Sequence, residues 1–156
     1  MTVEQLSKNK IKPFVNGGVV KHVLVRVGSK TNEIMVCIVT PTELFPGRAN
    51  FVKDLLKLEP KITTIVQNIQ SRDTSIVLGT KERVLYGKGF IIDELCGLKF
   101  KLSPRSFFQI NPQQTEKLYQ IAMEFANLRV GNTVIDAYSG IGTIGMVASK
   151  NCGKVI

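Results

Sequence analysis

The sequence predicts an α+β fold. Its front part is mostly antiparallel, and it is followed by the first βα unit of a second, parallel-sheet domain that the chain does not complete. Three observations carry this. Residues 19–102 hold many short β-branched runs separated by hairpin-length Gly and Pro punctuation, with one helical pattern among them, which argues antiparallel pairing rather than a parallel sheet. Asn111-Pro112-Gln113-Gln114 is a helix start with an N-cap, a proline at the first helical position and an amide at the third. Val134-Ile135-Asp136-Ala137-Tyr138-Ser139-Gly140-Ile141-Gly142-Thr143-Ile144-Gly145 then reads as an apolar strand, an acid at the strand end, a glycine turn and the beginning of a helix.

Met1 to Asn16 is a polar lead-in and Gly17-Gly18 a turn. Val19 to Val27 is a strand, with Val19, Lys21, Val23, Val25 and Val27 on one face and Val20, His22, Leu24 and Arg26 on the other. The loop 28–32 joins it to a second strand, Glu33 to Thr40, as an antiparallel hairpin. After Pro41, Pro46 and Gly47, a helix spans Ala49 to Leu58 and stops at Pro60. Ile62 to Gln70 is a third strand; Ile76–Leu78, Thr80–Tyr86, Phe90–Leu95 and Leu98–Leu102 are shorter ones. Ser103 to Ile110 is a polar and aromatic connector. The helix from Asn111 to Asn127 carries Leu118, Ile121, Ala122 and Phe125 as its apolar stripe. A strand Thr133–Asp136, a helix Thr143–Asn151 and a parallel strand beginning at Lys154 close the chain. The domain boundary is set at Ile110, giving residues 1–110 and 111–156.

No run approaches the roughly 20 apolar residues that span a bilayer, and the polar N-terminus has no secretory apolar core. A cytoplasmic protein that does not meet the membrane is expected. Cys37, Cys96 and Cys152 are scattered and His22 is the only histidine, so a local metal site is not expected, and Cys37 within an apolar run is an inert buried thiol. The net charge is +9. Residues 1–105 hold 17 Lys and Arg against 9 Asp and Glu, and residues 106–156 hold 4 against 3. Such a basic front half fits a polyanion such as nucleic acid, or lysines that only keep a domain soluble.

Gly140, Gly142 and Gly145 match G-x-G-x-x-G, a weak signal alone. Glycines here permit a sharp turn and close ligand approach, and the helix start favours a carboxylate or phosphate. A dinucleotide and S-adenosylmethionine both fit. Asp136 favours the second, because a carboxylate opposes a pyrophosphate but suits an ammonium or sulfonium, and Tyr138 adds an aromatic surface. Phe107-Phe108-Gln109 lies just before the capped helix. An aromatic there can stack on an unpaired base and an amide can read its Watson–Crick edge. Adjacent residues in an extended segment face opposite ways, so one of the two phenylalanines is core.

Ser103-Pro104-x-x-Phe107-x-Gln109-x-Asn111 followed by Asp136-x-Tyr138-x-Gly140-x-Gly142-Thr143 resembles the RNA (uracil-5-)-methyltransferases, most closely the 23S ribosomal RNA branch. The resemblance is specific over the last third and looser over the basic half. It implies an RNA-contacting central domain over 1–110 and an incomplete Rossmann-like class I methyltransferase domain over 111–156. It further implies S-adenosylmethionine bound by Gln109, Asp136, Tyr138, Gly140 and Gly142, and a target uracil held by Phe107 and Gln109. RNA, expected to be ribosomal, is the implied partner. Ser139 departs from the cysteine common there. In the family a cysteine thiolate adds to uracil C6, C5 attacks the cofactor methyl, and a base removes the C5 proton. Both groups fall downstream of the glycine turn, so the chain by itself is expected to be inactive. An oligonucleotide-binding domain and an iron–sulfur cluster, implied for some full-length members, are not expected within it. A nucleotide-cofactor enzyme such as an NAD-dependent oxidoreductase, and a non-enzymatic RNA-binding module, are the alternatives.

Overall fold

The computed structural model describes residues 18–156, so the lead-in Met1–Asn16 and the first glycine of the expected turn lie outside it. The elements run β1 (His22–Val27), β2 (Ile34–Thr40), α1 (Arg48–Leu58), β3 (Ile62–Ile69), β4 (Lys81–Tyr86), β5 (Ile91–Leu95), β6 (Leu98–Leu102), α2 (Pro112–Ala126), β7 (Thr133–Val134), α3 (Thr143–Ala148) and β8 (Lys154–Val155). They group into two compact units. One comprises the described residues up to Gly28 together with Asn32–Ile91 and Ser103–Arg105; the other comprises Ser29–Thr31, Ile92–Leu102 and Ser106–Ile156.

The first unit is a four-stranded sheet in the order β1-β2-β3-β4. The expected β1–β2 hairpin forms, with Leu24 opposite Cys37. The four-stranded sheet is mostly antiparallel, as expected, with one exception. β2 and β3 pair in parallel, Cys37 beside Val66, so the sheet is mixed. The reason is topological: a strand, a helix and a strand in succession return the chain to the same end of the sheet before it re-enters. β3 and β4 are antiparallel. Val36 and Ile38, two apart on β2 and therefore on one face, pack with Ile65 and with Phe51 and Leu55 of α1 in the core. Cys37 is fully buried, and burial, followed by the charge of Glu82, pushes its thiol up to about 12, as an inert core residue requires.

The expected strand at Ile76–Leu78 does not form; residues 71–80 are irregular. Side-chain amides replace a ladder there. Gln70 Nε2 donates to the Ile76 carbonyl at 2.9 Å, and buried Asn68 both donates to the Gly79 carbonyl (3.1 Å) and accepts from its amide (2.7 Å).

In the second unit β5 and β6 pair, and β7 pairs with β8 in parallel. The ladder continues past β7 through bonds from Asp136 N to Ile156 O (2.8 Å) and from Ile156 N to Val134 O (2.9 Å). α3 ends three residues sooner than expected, and tighter bonds from Lys150 N to Val147 O and Asn151 N to Ala148 O take over. The α2 stripe also differs from expectation. Thr115 and Tyr119 are the buried residues of this helix, whereas Leu118, Ile121 and Phe125 are exposed.

Asp93, 2% exposed, accepts from the Ser29 and Lys30 amides at 2.9 and 3.0 Å and from the Ser29 hydroxyl at 3.2 Å. Burial opposes its charge, but these bonds and that of the Glu94 amide outweigh it and hold the carboxyl below its ordinary range. The stabilisation is therefore present above the ordinary carboxylate pKa and is lost as pH falls through the lowered folded value. Asp93→Asn, which keeps the shape but loses the charge, costs about 1–3 kcal/mol at neutral pH. In urea titrations the gap to the parent narrows on acidification below about pH 4; a gap independent of pH contradicts this account.

Candidate functional site

The turn after β7 is built by its glycines and its acid. Gly142 is the N-cap of α3 with φ 76°, and Gly140 has φ 60°, both in the left-handed region that favours glycine. Gly142 N bonds Ser139 O at 2.8 Å. Gly145, in the first turn of α3, donates its amide to Asp136 Oδ2 at 2.9 Å. A Cβ on Gly145 would lie 2.6 Å from that oxygen and 3.1 Å from Val155 Cγ1. Glycine thus admits both the clamp and the close approach of helix to strand. At Gly140 a Cβ would meet nothing within 4 Å, so that position needs glycine for its φ and leaves open space above it.

Tyr138 has φ 62°, a conformation that costs a non-glycine residue about 1–2 kcal/mol. Its ring is wholly exposed, so no packing offsets that cost. Backbone outliers of this kind cluster where a side chain is held out for a ligand. Asp136 is half-buried, and only Oδ2 is committed to Gly145. A cavity of about 240 Å³ between α2, β7 and α3 is apolar apart from Asp136; Met123, Ile135 and Ile144 help to line it.

Before α2, Phe108 packs on Phe100 with ring centroids 6.0 Å apart, and Phe107 is 74% exposed. Phe107 is therefore the phenylalanine that faces solvent. Gln109 is half-buried, and its side chain has no hydrogen bond among the described residues. Asn111 Oδ1 accepts from the Gln114 amide at 3.1 Å, fixing where the helix begins.

The structure links the two constellations through a contact the sequence reading did not find. Tyr119 of α2 and Thr143, the first residue of α3, share a 2.8 Å hydroxyl hydrogen bond. Its only signal was that Thr115 and Tyr119 lie one turn apart on a face too polar to count as an apolar stripe. Among the described residues no group of three or more His, Cys, Asp or Glu side chains could hold a metal ion, and no helix is long and apolar enough to cross a membrane. Cys96 is a poor nucleophile: burial first, then Glu116, raise its pKa, opposed by Lys150.

Gly145→Ala should cost more than Gly140→Ala. The first breaks the clamp at an estimated 2–4 kcal/mol, combining overpacking and a stranded buried amide; the second costs about 1–2 kcal/mol from φ alone. Urea denaturation of both variants checks the order, and equal losses contradict the clamp.

No protein-family model matches the chain. It is 44% identical over 138 residues to an uncharacterized RNA methyltransferase of Oceanobacillus iheyensis, covering 88% of this chain and 30% of that protein. It is 42% identical over 142 residues to an uncharacterized RNA methyltransferase of Lactiplantibacillus plantarum, covering 91% and 31%. The chain therefore spans less than a third of the length of these curated relatives. Among solved structures, the tRNA (uracil-54, C5)-methyltransferase of Pyrococcus abyssi in complex with S-adenosyl-L-homocysteine superposes with a TM-score of 0.73 at 26% identity, over 94% of this chain and 35% of that one. Sequence relatives and fold thus agree: over nearly its whole length the chain is similar to RNA methyltransferases.

Proposed function

We propose that this chain is the central domain and the opening of the class I methyltransferase domain of an enzyme that methylates C5 of a uracil in RNA, with 23S ribosomal RNA as the expected target. The observation that carries the reading is the clamped glycine turn, which holds Tyr138 out in a strained conformation beside an acid and an open glycine backbone. The S-adenosyl-L-homocysteine in the Pyrococcus abyssi enzyme supports the same cofactor class here.

These residues fit S-adenosylmethionine. Tyr138 offers a ring face, Gly140 and Gly142 leave the backbone open to close approach, and Asp136 offers negative charge to an ammonium or sulfonium. When bound, the cofactor supplies an electrophilic methyl group. Phe107 stacks on the target base, and Gln109 orients it with an amide that donates and accepts. The thiolate that adds to C6 and the base that takes the C5 proton are assigned to the part of the relatives this chain does not span. Cys37 and Cys96, with raised pKa values, do not serve.

Labelled S-adenosylmethionine should bind the chain weakly in equilibrium dialysis and be displaced by S-adenosylhomocysteine but not by NAD. Tyr138→Ala should weaken binding by about 5- to 10-fold, the value of one lost aromatic contact. Displacement by NAD, or full affinity in the variant, would sink the reading. The 156-residue chain should form no 5-methyluridine in RNA; multiple turnover would refute the assignment of the nucleophile and base outside it.

A further inference from the structure

Two adjoining cavities lie in the first unit beside β4. One of about 560 Å³ is lined by Arg72, Lys81 and Arg105, and one of about 570 Å³ by Arg48 and Arg83; Glu43 lines both and is the only acid in either. Lys81 is 3.6 Å from Glu43, so that pair offsets itself. Arg48, Arg72, Arg83 and Arg105 have no ion-pair partner among the described residues. Lys81 and Arg83, two apart on β4, stand on one face of that strand.

The walls are held from within. Buried Gln67 donates to the carbonyls of Thr42 and Glu43 at 3.3 and 3.2 Å, fixing one bank. The opposite bank, the irregular loop 71–80, is fixed by the Asn68 bonds to Gly79 and by Gln70, which accepts from the Arg72 amide at 3.1 Å. Lys21 Nζ donates to the Arg72 carbonyl at 2.9 Å. A Cβ on Gly79 would fall 1.8 Å from the Ile69 carbonyl oxygen, so the loop is pressed onto the sheet. The exposed residues 71–77 are thus tied to the sheet by side chains, and the Arg72 backbone is held at both its amide and its carbonyl.

We propose that Arg48, Arg72, Arg83 and Arg105 form a phosphate track for single-stranded RNA. Guanidinium groups suit phosphate because they pair with two oxygens in one plane, and a concave basic groove follows a flexible strand. Arg105 is two residues before Phe107, and covalent geometry keeps their Cα atoms within ~7.6 Å. The unpaired base that Phe107 requires calls for single-stranded RNA. This track rests on the RNA reading above.

The test is fluorescence anisotropy of the chain with a short unstructured RNA oligonucleotide across a salt series. Each phosphate contact on a single strand contributes about −0.7 to the slope of log affinity against log salt. Replacing all four arginines by glutamine should flatten the slope by about 2.8, while the Arg→Lys set should keep most of it because the charge remains. Lys53→Gln with Lys57→Gln, exposed on α1, should leave it unchanged. A glutamine set that folds by thermal melting but keeps the parent slope overturns the track alone, and so does an equal loss in the α1 variant. If the parent chain shows no salt-sensitive RNA binding, the track and the RNA reading fall together.

Discussion

The bond from the Gly145 amide to Asp136 Oδ2 fixes the shape of the segment on which the functional reading depends. It joins the end of β7 to the first turn of α3, so the residues between them close as a loop of set length. That closure leaves Gly140, Gly142 and Tyr138 at positive φ. It also ties the charge of Asp136 to a backbone amide, which makes the same carboxylate a scaffold and a candidate ligand group. A helix N-terminal amide bonded to an anion is stabilised in charge and direction. The arrangement holds only because residue 145 has no side chain.

Around that bond the second unit is assembled from short polar links. Asn111 sets the start of α2, Tyr119 bonds Thr143 at the start of α3, and Lys150 Nζ bonds the Cys96 carbonyl at 2.6 Å. Apolar burial is thinner here. Leu118, Ile121, Phe125, Val130 and Ile135 are exposed. The first unit is the reverse, with β2 and β3 buried almost throughout and α1 closing one face through Phe51 and Leu55. Rigidity in the first unit comes from burial, and in the second from directional bonds around the turn.

Much of this was legible in the residues. Every helix was expected within a few residues of its place, because the breakers Gly47, Pro60 and Pro112 and the cap Asn111 act locally. The glycine turn was legible for the same reason: positive φ is a property of single positions. The packing of half-buried Phe108 on Phe100 with exposure of Phe107 follows the alternation of an extended segment, although which ring turns inward does not. What was not legible is non-local. The parallel β2–β3 pairing depends on how α1 returns the chain, which no short window of residues shows. Ile76, Val77 and Leu78 have the composition of a short strand, whereas the amides of Asn68 and Gln70 decide the path of the loop that holds them. The α2 stripe was recognised by period, but its period could not say which face finds a partner, and the polar Thr115–Tyr119 face did.

The central claim is that the 136–145 turn receives the methyl donor. Amide resonances of the isotopically labelled chain, followed during titration with S-adenosyl-L-homocysteine, test it most directly, since they report even weak binding residue by residue. The account predicts shifts concentrated at Asp136, Tyr138, Gly140 and Gly142, with Gln109 moving along the same isotherm, and none of comparable size with NAD. Shifts confined to residues outside this turn, or the same response to NAD, would contradict it.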